Sequence, residues 1–490
     1  MLIKKKIQLI TAFSVSNLLL TSYWLQLGLY SQEIRYYFYK KPVVELWLGI
    51  SLFIFFSISF YKVFTFLNNK KYYKTEHLIK FLLLINALNI FRRLSNFFSL
   101  QILLDNKIFL FLTIFFIIVI FFKFIKIFSK LIIFIFLIFS PFVLMNTFHI
   151  INMGSIMNWD NNKLLIGKKN YPDKENKIIH FIFDELDPEI VEKQKNKNLN
   201  NFFKSSDHYI NAYTKGQGTL QNMISILTGK ELIKIVPNVK SDFTFSNNNV
   251  FYKYQNNKIS VADNKNIFSI LNKKKYKVGV MGIYHRYCNI FYKDLNQCIE
   301  TGDETYSIKN IGFKEYFFYS IASMIPASSK IKYTKKYSYS NFLDYNFPTL
   351  RVNNILKYEK KIPNLIKNND YILIHIPLPH APWIYKDGKF NVNDQPTQDG
   401  FDLDGYYNNV LITDIFFQEI INKIKSMGLY DESTIILSSD HGWRNKPGFS
   451  YLGNNKFVLA IKNSYQKEPK TIPKKFGLHN ILKIIENISN

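Results

Sequence analysis

The sequence predicts an N-terminal multi-span α-helical membrane domain followed by a C-terminal α/β domain with a mainly parallel central sheet. Three observations predict it. Long apolar runs crowd into residues 1–150, rich in Phe, Ile and Leu. Beyond them, short β-branched or aromatic runs alternate with helical stretches. Carboxylates and histidines directly follow several of those short runs. A chain of 490 residues exceeds one typical domain. The expected division is a transmembrane domain over 1–150, a linker over 151–174 and an extracytoplasmic domain over 175–490.

In the membrane half, Lys4, Lys5 and Lys6 precede the apolar run 7–30, long enough for a hydrocarbon core of roughly 30 Å. A signal peptide is the competing reading, but no small-residue cleavage site is evident and more apolar runs follow. Further spans are expected at 43–67, 107–122 and 131–148. The region 77–104 is interrupted by Arg92 and Arg93, and charge at mid-bilayer is costly. The lysines at 4–6, at 70, 71 and 74, and at 123, 126 and 130 all read as cytoplasmic. They agree only if 77–104 crosses once, giving five helices and placing residue 150 onward in the periplasm or outside the cell. Arg35, Lys40 and Lys41 on the first outer loop run against that rule. The expectation is a multi-pass protein of the inner or plasma membrane.

A formal net charge of +27 raises nucleic acid or an anionic lipid surface as partners. No nucleic-acid-binding motif accompanies it, and the lysines are scattered among Asn and Ile, so nucleic acid is set aside. Cys288 and Cys298 are the chain's two cysteines. Close together in a domain placed outside the cytoplasm, they are expected to form a disulfide, against the alternative of two buried thiols.

In the soluble half, 178–183, 277–284, 371–378, 434–439 and 457–462 read as buried strands. Residues 267–275 and 408–428 carry helical periodicity, with Gly428 as a stop signal. Such alternation implies a layered α/β arrangement, in which ligands sit beyond the carboxyl ends of the strands. There the chain places Asp184 and Glu185, His380, and Asp440 with His441. Carboxylate oxygens with one neutral imidazole suit a divalent cation, Zn²⁺ or Mn²⁺ first, with Ca²⁺ and Mg²⁺ as alternatives. A metal beside Thr219, in the stretch GTLQNMISILTG, would make a weak hydroxyl nucleophile usable. Each residue has a plainer reading. Asp184 and Glu185 suit a helix cap, and Thr219 does too. His380 suits a loop histidine against Trp383, and Asp440–His441–Gly442 suits a turn. Their joint occurrence at strand ends shifts the weight to a site.

These segments resemble the alkaline phosphatase/sulfatase superfamily in order. IIHFIFDE is similar to its first strand with terminal acids, and TLQNMISILTG to its nucleophile helix, C/S/T-x-P-S-R-x-x-x-L-T-G. HIPLPHAPW resembles the P-H-x-P segment, and the run ending SSDHG resembles the terminal strand. The resemblance spans roughly 175–488, and the membrane half is similar to lipoteichoic acid synthases and phosphoethanolamine transferases. It implies metal ligation by Asp184, Glu185, Asp440 and His441, with Thr219 as covalent nucleophile and His380 holding the transferred group or its leaving oxygen. The Pro and Arg of the helix motif are here Gln221 and Met223. Threonine cannot be oxidised to the formylglycine of type I sulfatases. The expected function is therefore phosphoryl transfer or hydrolysis on a membrane lipid or envelope glycan. Sulfuric ester hydrolysis and a non-catalytic envelope protein are the alternatives, and a transporter is weaker still. No second-ion ligand set is evident, and His285 and His375 read as structural or substrate-facing. The oligomeric state is not legible.

Overall fold

The computed structural model describes residues 5–13, 15–16, 20, 43–72, 75, 79, 166 and 169–490, less 195, 217, 233–242, 247–248, 255–256, 284, 302–338, 392–401 and 447–454. The chain divides into two compact units, one holding Met1–Ile34, Lys40–Ile156 and Ile311–Phe342, the other holding Arg35–Tyr39, Met157–Asn310 and Leu343–Asn490.

In the first unit, residues 5–13 are helical and α1 spans Val43–Asn69. They run antiparallel. Gln8 Nε2 donates to the Phe64 carbonyl at 3.4 Å, while Phe13 meets Phe53 edge-on at 5.4 Å. Trp47, Phe55, Ile58 and Phe66 stay exposed, an apolar outer face that water does not favour. Gly49–Asn69 is long and apolar enough to cross a membrane, which matches the expected span 43–67. The expected crossings at 77–104, 107–122 and 131–148, and most of 7–30, lie outside the described residues.

The second unit is built on strands β1 (Ile178–Asp184), β2 (Asp207–Tyr209), β3 (Val278–Gly282), β4 (Gln297–Glu300), β5 (Tyr371–Pro379), β6 (Thr434–Ser439), β7 (Leu459–Lys462) and β8 (Thr471–Ile472). They form one sheet in the order β8-β2-β7-β6-β1-β5-β3-β4. The run from β6 to β4 is parallel. β7 is antiparallel to both β6 and β2, unlike the other predicted strands.

β1 is central and buried along its whole length. Its side chains alternate between faces, as a strand requires. Ile178 and Ile182 join one core cluster, whereas Ile179, Phe181 and Phe183 join the other. The first cluster takes in α4 (Thr219–Thr228), α5 (Ile267–Lys273) and α9 (Ile481–Ile488). The second takes in α3 (Lys197–Lys204), α7 (Tyr339–Asn368, here from Val352) and α8 (Leu403–Ser426). Phe417 of α8 is its pivot, edge-on to Phe181, Phe183 and Phe202. The two short remaining helices are α2 (Pro188–Lys193), which follows β1, and α6 (Tyr287–Ile290), which follows β3. The α8 helix begins five residues before the predicted 408, with Asp402 capping it, and Gly428 just beyond its end has a positive φ of 74°. Cys288 and Cys298 form the expected disulfide, joining α6 to β4.

Candidate active site

Period-two alternation places Asp184, the last residue of β1, on the same face as Ile182 and hence on the α4 side. Neighbouring strands end beside it. The backbone N–H of His380 donates to the Asp184 carbonyl at 3.2 Å, and that of Asp440 to the Phe183 carbonyl at 3.2 Å. On the same side α4 opens at Thr219, whose hydroxyl donates to Asp184 Oδ1 at 3.3 Å. The helix is capped by extended Gly218 with no side-chain cap. Thr219 is thus the first helical residue and not the N-cap, among N–H groups that favour an anion. The loop before it is pinned from behind: Asn222 Oδ1 accepts from Thr214 Oγ1 at 2.6 Å, and Thr214 Oγ1 accepts from Gly216 N at 3.1 Å.

Asp184, Asp440 and His441 are all fully buried, and one ligand atom from each lies within 4.8 Å of the others. Asp440 Oδ1 accepts from the backbone N–H groups of Glu185 (3.0 Å) and His441 (2.8 Å). His441 Nδ1 donates to the Gly442 carbonyl at 2.8 Å, which turns the Nε2 lone pair toward the acids. Nε2 lies 3.2 Å from Asp440 Oδ2 and 4.0 Å from Asp184 Oδ1. Among the described residues, Asp184 Oδ2, Asp440 Oδ2 and His441 Nε2 have no hydrogen-bond partner. Orphaned buried polar atoms are costly. Three of them converging, two carboxylate oxygens and an imidazole nitrogen, fit a divalent ion. Burial dominates the electrostatics of the cluster. It raises the Asp440 pKa to about 6 and lowers that of His441 to about 4. Asp184 is raised by burial and then by the Asp440 charge.

Glu185 takes another course. Its φ of 67° is left-handed, a strained choice for a non-glycine residue, and its carboxylate leaves the cluster. Glu185 Oε1 accepts from Arg444 Nε, and it is not among the three clustered ligands. Burial opposes its ionisation, but His380 and Arg444 outweigh burial and hold its pKa at about 2. The structure therefore gathers three of the four expected ligands and engages the fourth with an arginine.

His380 sits on the rim, as expected, between two arginines. Its Nδ1 lies 2.7 Å from the Ala381 carbonyl and its Nε2 lies 2.9 Å from Arg444 Nη2. Buried Arg351 of α7 steadies the segment by donating to the Pro377 carbonyl at 2.7 Å and the Ala381 carbonyl at 3.0 Å. Asn409 of α8 donates to the Pro379 and Pro382 carbonyls. His285 and His375 stay outside the cluster. Both are buried, their rings stack at 5.7 Å, and Tyr287 OH lies 3.0 Å from His375 Nδ1.

Sequence reasoning missed Arg444 and Arg351. Arg444 lies four residues past Asp440 in DHGWR, and that proximity was its available signal. Nothing in the sequence ties Arg351, in the middle of a long polar stretch, to a loop some thirty residues on.

Comparison with known proteins follows from this geometry. A sulfatase family model matches residues 196–469, more than half of the chain. Similar solved structures include the lipoteichoic acid synthase LtaP from Listeria monocytogenes, at 15% identity, TM-score 0.36, covering 67% of this chain and 76% of that one. A phosphonate monoester hydrolase from Silicibacter pomeroyi shares 12% identity at TM-score 0.40, over 64% of this chain and 73% of that one. An alkaline phosphatase superfamily protein from Vibrio parahaemolyticus shares 13% identity at TM-score 0.36, over 68% and 72%. No curated protein matches the chain.

Proposed function

Because the chain belongs to the sulfatase family, we propose that it is a metal-dependent enzyme transferring or hydrolysing a phosphoryl-linked group on a membrane lipid or envelope glycan. Thr219 is its covalent nucleophile. The observation that carries this reading is the Thr219 hydroxyl on Asp184, beside the orphaned atoms of Asp184, Asp440 and His441. Asp184, Asp440 and His441 would hold one divalent ion, which when bound supplies Lewis acidity to an anionic electrophile.

The chain's own residues supply the rest. The Thr219 hydroxyl passes its proton to Asp184 Oδ1 as its oxygen bonds to phosphorus. The bond from phosphorus to the leaving oxygen then breaks, and that oxygen takes up, through water, the proton held by Asp184, which restores the carboxylate. An acceptor hydroxyl, or water, next displaces Thr219 from phosphorus, and its proton returns the threonine to its resting state. The N–H groups at the start of α4 face the anion throughout. Threonine favours this chemistry over sulfate-ester hydrolysis, since it cannot form the aldehyde that type I sulfatases use.

Anchoring through α1 suits a donor that itself lies in the membrane, and basic residues beside the spans would draw an anionic lipid. The test is turnover of phosphodiester and sulfate esters by the full-length protein with metal, alongside intact-mass detection of a covalent adduct. Thr219→Ala is expected to abolish both turnover and adduct while keeping the wild-type thermal melt. Normal turnover in that variant, or preferential sulfate-ester turnover by the wild type, would overturn the reading.

A further inference from the structure

This inference rests on the function just proposed and on the role expected in it for His380, which holds the transferred group or its leaving oxygen. His380 follows a strand that has run out of ladder. β5 pairs with β3 only as far as Met281↔Ile374, and unbroken with β1 only as far as Phe183↔Ile376. The register then slips, so that Asp184 meets Pro379 while Pro377 and Leu378 have no paired residue on β1. Backbone carbonyls in so buried a segment need other donors. Two helices of the second core cluster supply them. Tyr358 of α7 donates to the His375 carbonyl at 2.7 Å, and Arg351, two turns earlier, to those of Pro377 and Ala381. Asn409 of α8 serves the carbonyls of Pro379 at 3.2 Å and Pro382 at 2.9 Å.

One of these contacts differs from the rest. The Ala381 carbonyl, 3.0 Å from Arg351 Nη2, also lies 2.7 Å from His380 Nδ1. The guanidinium and the imidazole therefore meet on a single oxygen. Arg351 Nη1 holds the Pro377 carbonyl at 2.7 Å, so one rigid fork spans the turn and sets where that shared oxygen stands. At 1% exposure Arg351 itself is out of a substrate's reach. We propose that Arg351 is a positioning residue for His380: through the Ala381 carbonyl it fixes the direction in which the imidazole faces the reacting group. No bond or proton passes through Arg351.

The test uses the full-length protein in detergent with its divalent metal. Phosphodiester kinetics, metal affinity and thermal melts are compared for the wild type, Arg351→Gln, Arg351→Lys and Tyr358→Phe. The rate at which diethyl pyrocarbonate modifies His380, read by peptide mass, is followed in each. Misplacing a group by about 1 Å costs on the order of 10²-fold, so kcat should fall by that order in Arg351→Gln, with KM and metal affinity unchanged. Arg351→Lys keeps the charge without spanning both carbonyls and should recover part of the loss. Tyr358→Phe releases a carbonyl other than the one shared with the imidazole, and should lower the melt while keeping kcat.

In a His380→Ala background, Arg351→Gln should cost no further activity. The same fractional loss with and without the imidazole marks a structural role alone and overturns the proposal. So does wild-type kcat in a folded Arg351→Gln, or in Arg351→Lys should the glutamine variant not fold. Equal kcat losses in Tyr358→Phe and Arg351→Gln would overturn it too. If the wild type turns over no ester, the proposed reaction fails and the modification rate judges Arg351. That rate should rise in Arg351→Gln and not in Tyr358→Phe, and an unchanged rate in Arg351→Gln ends the positioning role.

Discussion

Asp440 and Glu185, joined by the Glu185 backbone N–H that donates to Asp440 Oδ1 at 3.0 Å, end with pKa values shifted in opposite directions. Burial lifts Asp440 to about 6, while Arg444 and His380 overcome burial at Glu185 and hold it at about 2. Metal binding requires Asp440 as the carboxylate, so divalent-ion affinity should fall as pH drops through about 6. His441, lowered to about 4, is already neutral there and adds nothing to that step. Calorimetry at pH 5 and pH 7.5 checks this, and equal affinity at both would refute it. Glu185 acts on stability with the other sign. Its folded pKa lies below its ordinary 4.5, so its contribution is complete above pH 4.5 and is lost as pH falls toward 2. Denaturation midpoints of the wild type and Glu185→Gln should therefore converge between pH 4.5 and 2.

At the level of elements, the most exacting contact behind Thr219 is at Gly216. A Cβ there would stand 1.9 Å from Asn222 Oδ1, the atom that takes the Thr214 hydroxyl. Gly216→Ala is expected to destabilise by about 1–3 kcal/mol and to lower kcat more than a remote substitution of equal cost, as chemical denaturation and kinetics would show. On the opposite face of the sheet, Phe417→Ala empties the centre of three edge-on ring contacts and should cost about 3–5 kcal/mol, with KM unaltered. The Cys288–Cys298 bridge closes a short loop, for which chain entropy gives about 2–3 kcal/mol. Paired serine substitutions should lower the unfolding free energy by that amount.

For the whole molecule, α1 leads to the expectation that the chain stays with membranes through an alkaline carbonate wash. Its release would contradict a spanning segment. Much of the architecture was legible because buried parallel strands are short, apolar and bounded by polar loops. Residues 434–439 emerge as β6 with unchanged limits, and the chemistry-bearing residues stand where strand ends were expected. The direction of β7 was not legible, since a buried strand reads alike in either orientation. Helix α7 was missed too, although Val352, Ile355, Tyr358, Ile362 and Ile366 recur at helical spacing and pack into the second cluster. At the site, residue type pointed to Asp184, Asp440, His441, Thr219 and His380. It carries no sign that residue 185 adopts a left-handed backbone and pairs with Arg444. Contacts such as Arg351 on the Ala381 carbonyl exist only once the chain is folded.

One carboxylate has a consequence for how a substrate enters. Asp187 Oδ1 accepts from the first N–H groups of α2, while its Oδ2 takes the Trp443 N–H at 3.3 Å and the Lys446 ammonium at 2.7 Å. Gly442 runs so close that a Cβ there would stand 2.6 Å from that same Oδ2. Residues 185–187 after β1 and 440–446 after β6 are thereby riveted into one mechanical part. This side of the rim works as a fixed jaw, and whatever enters must fit its preset shape.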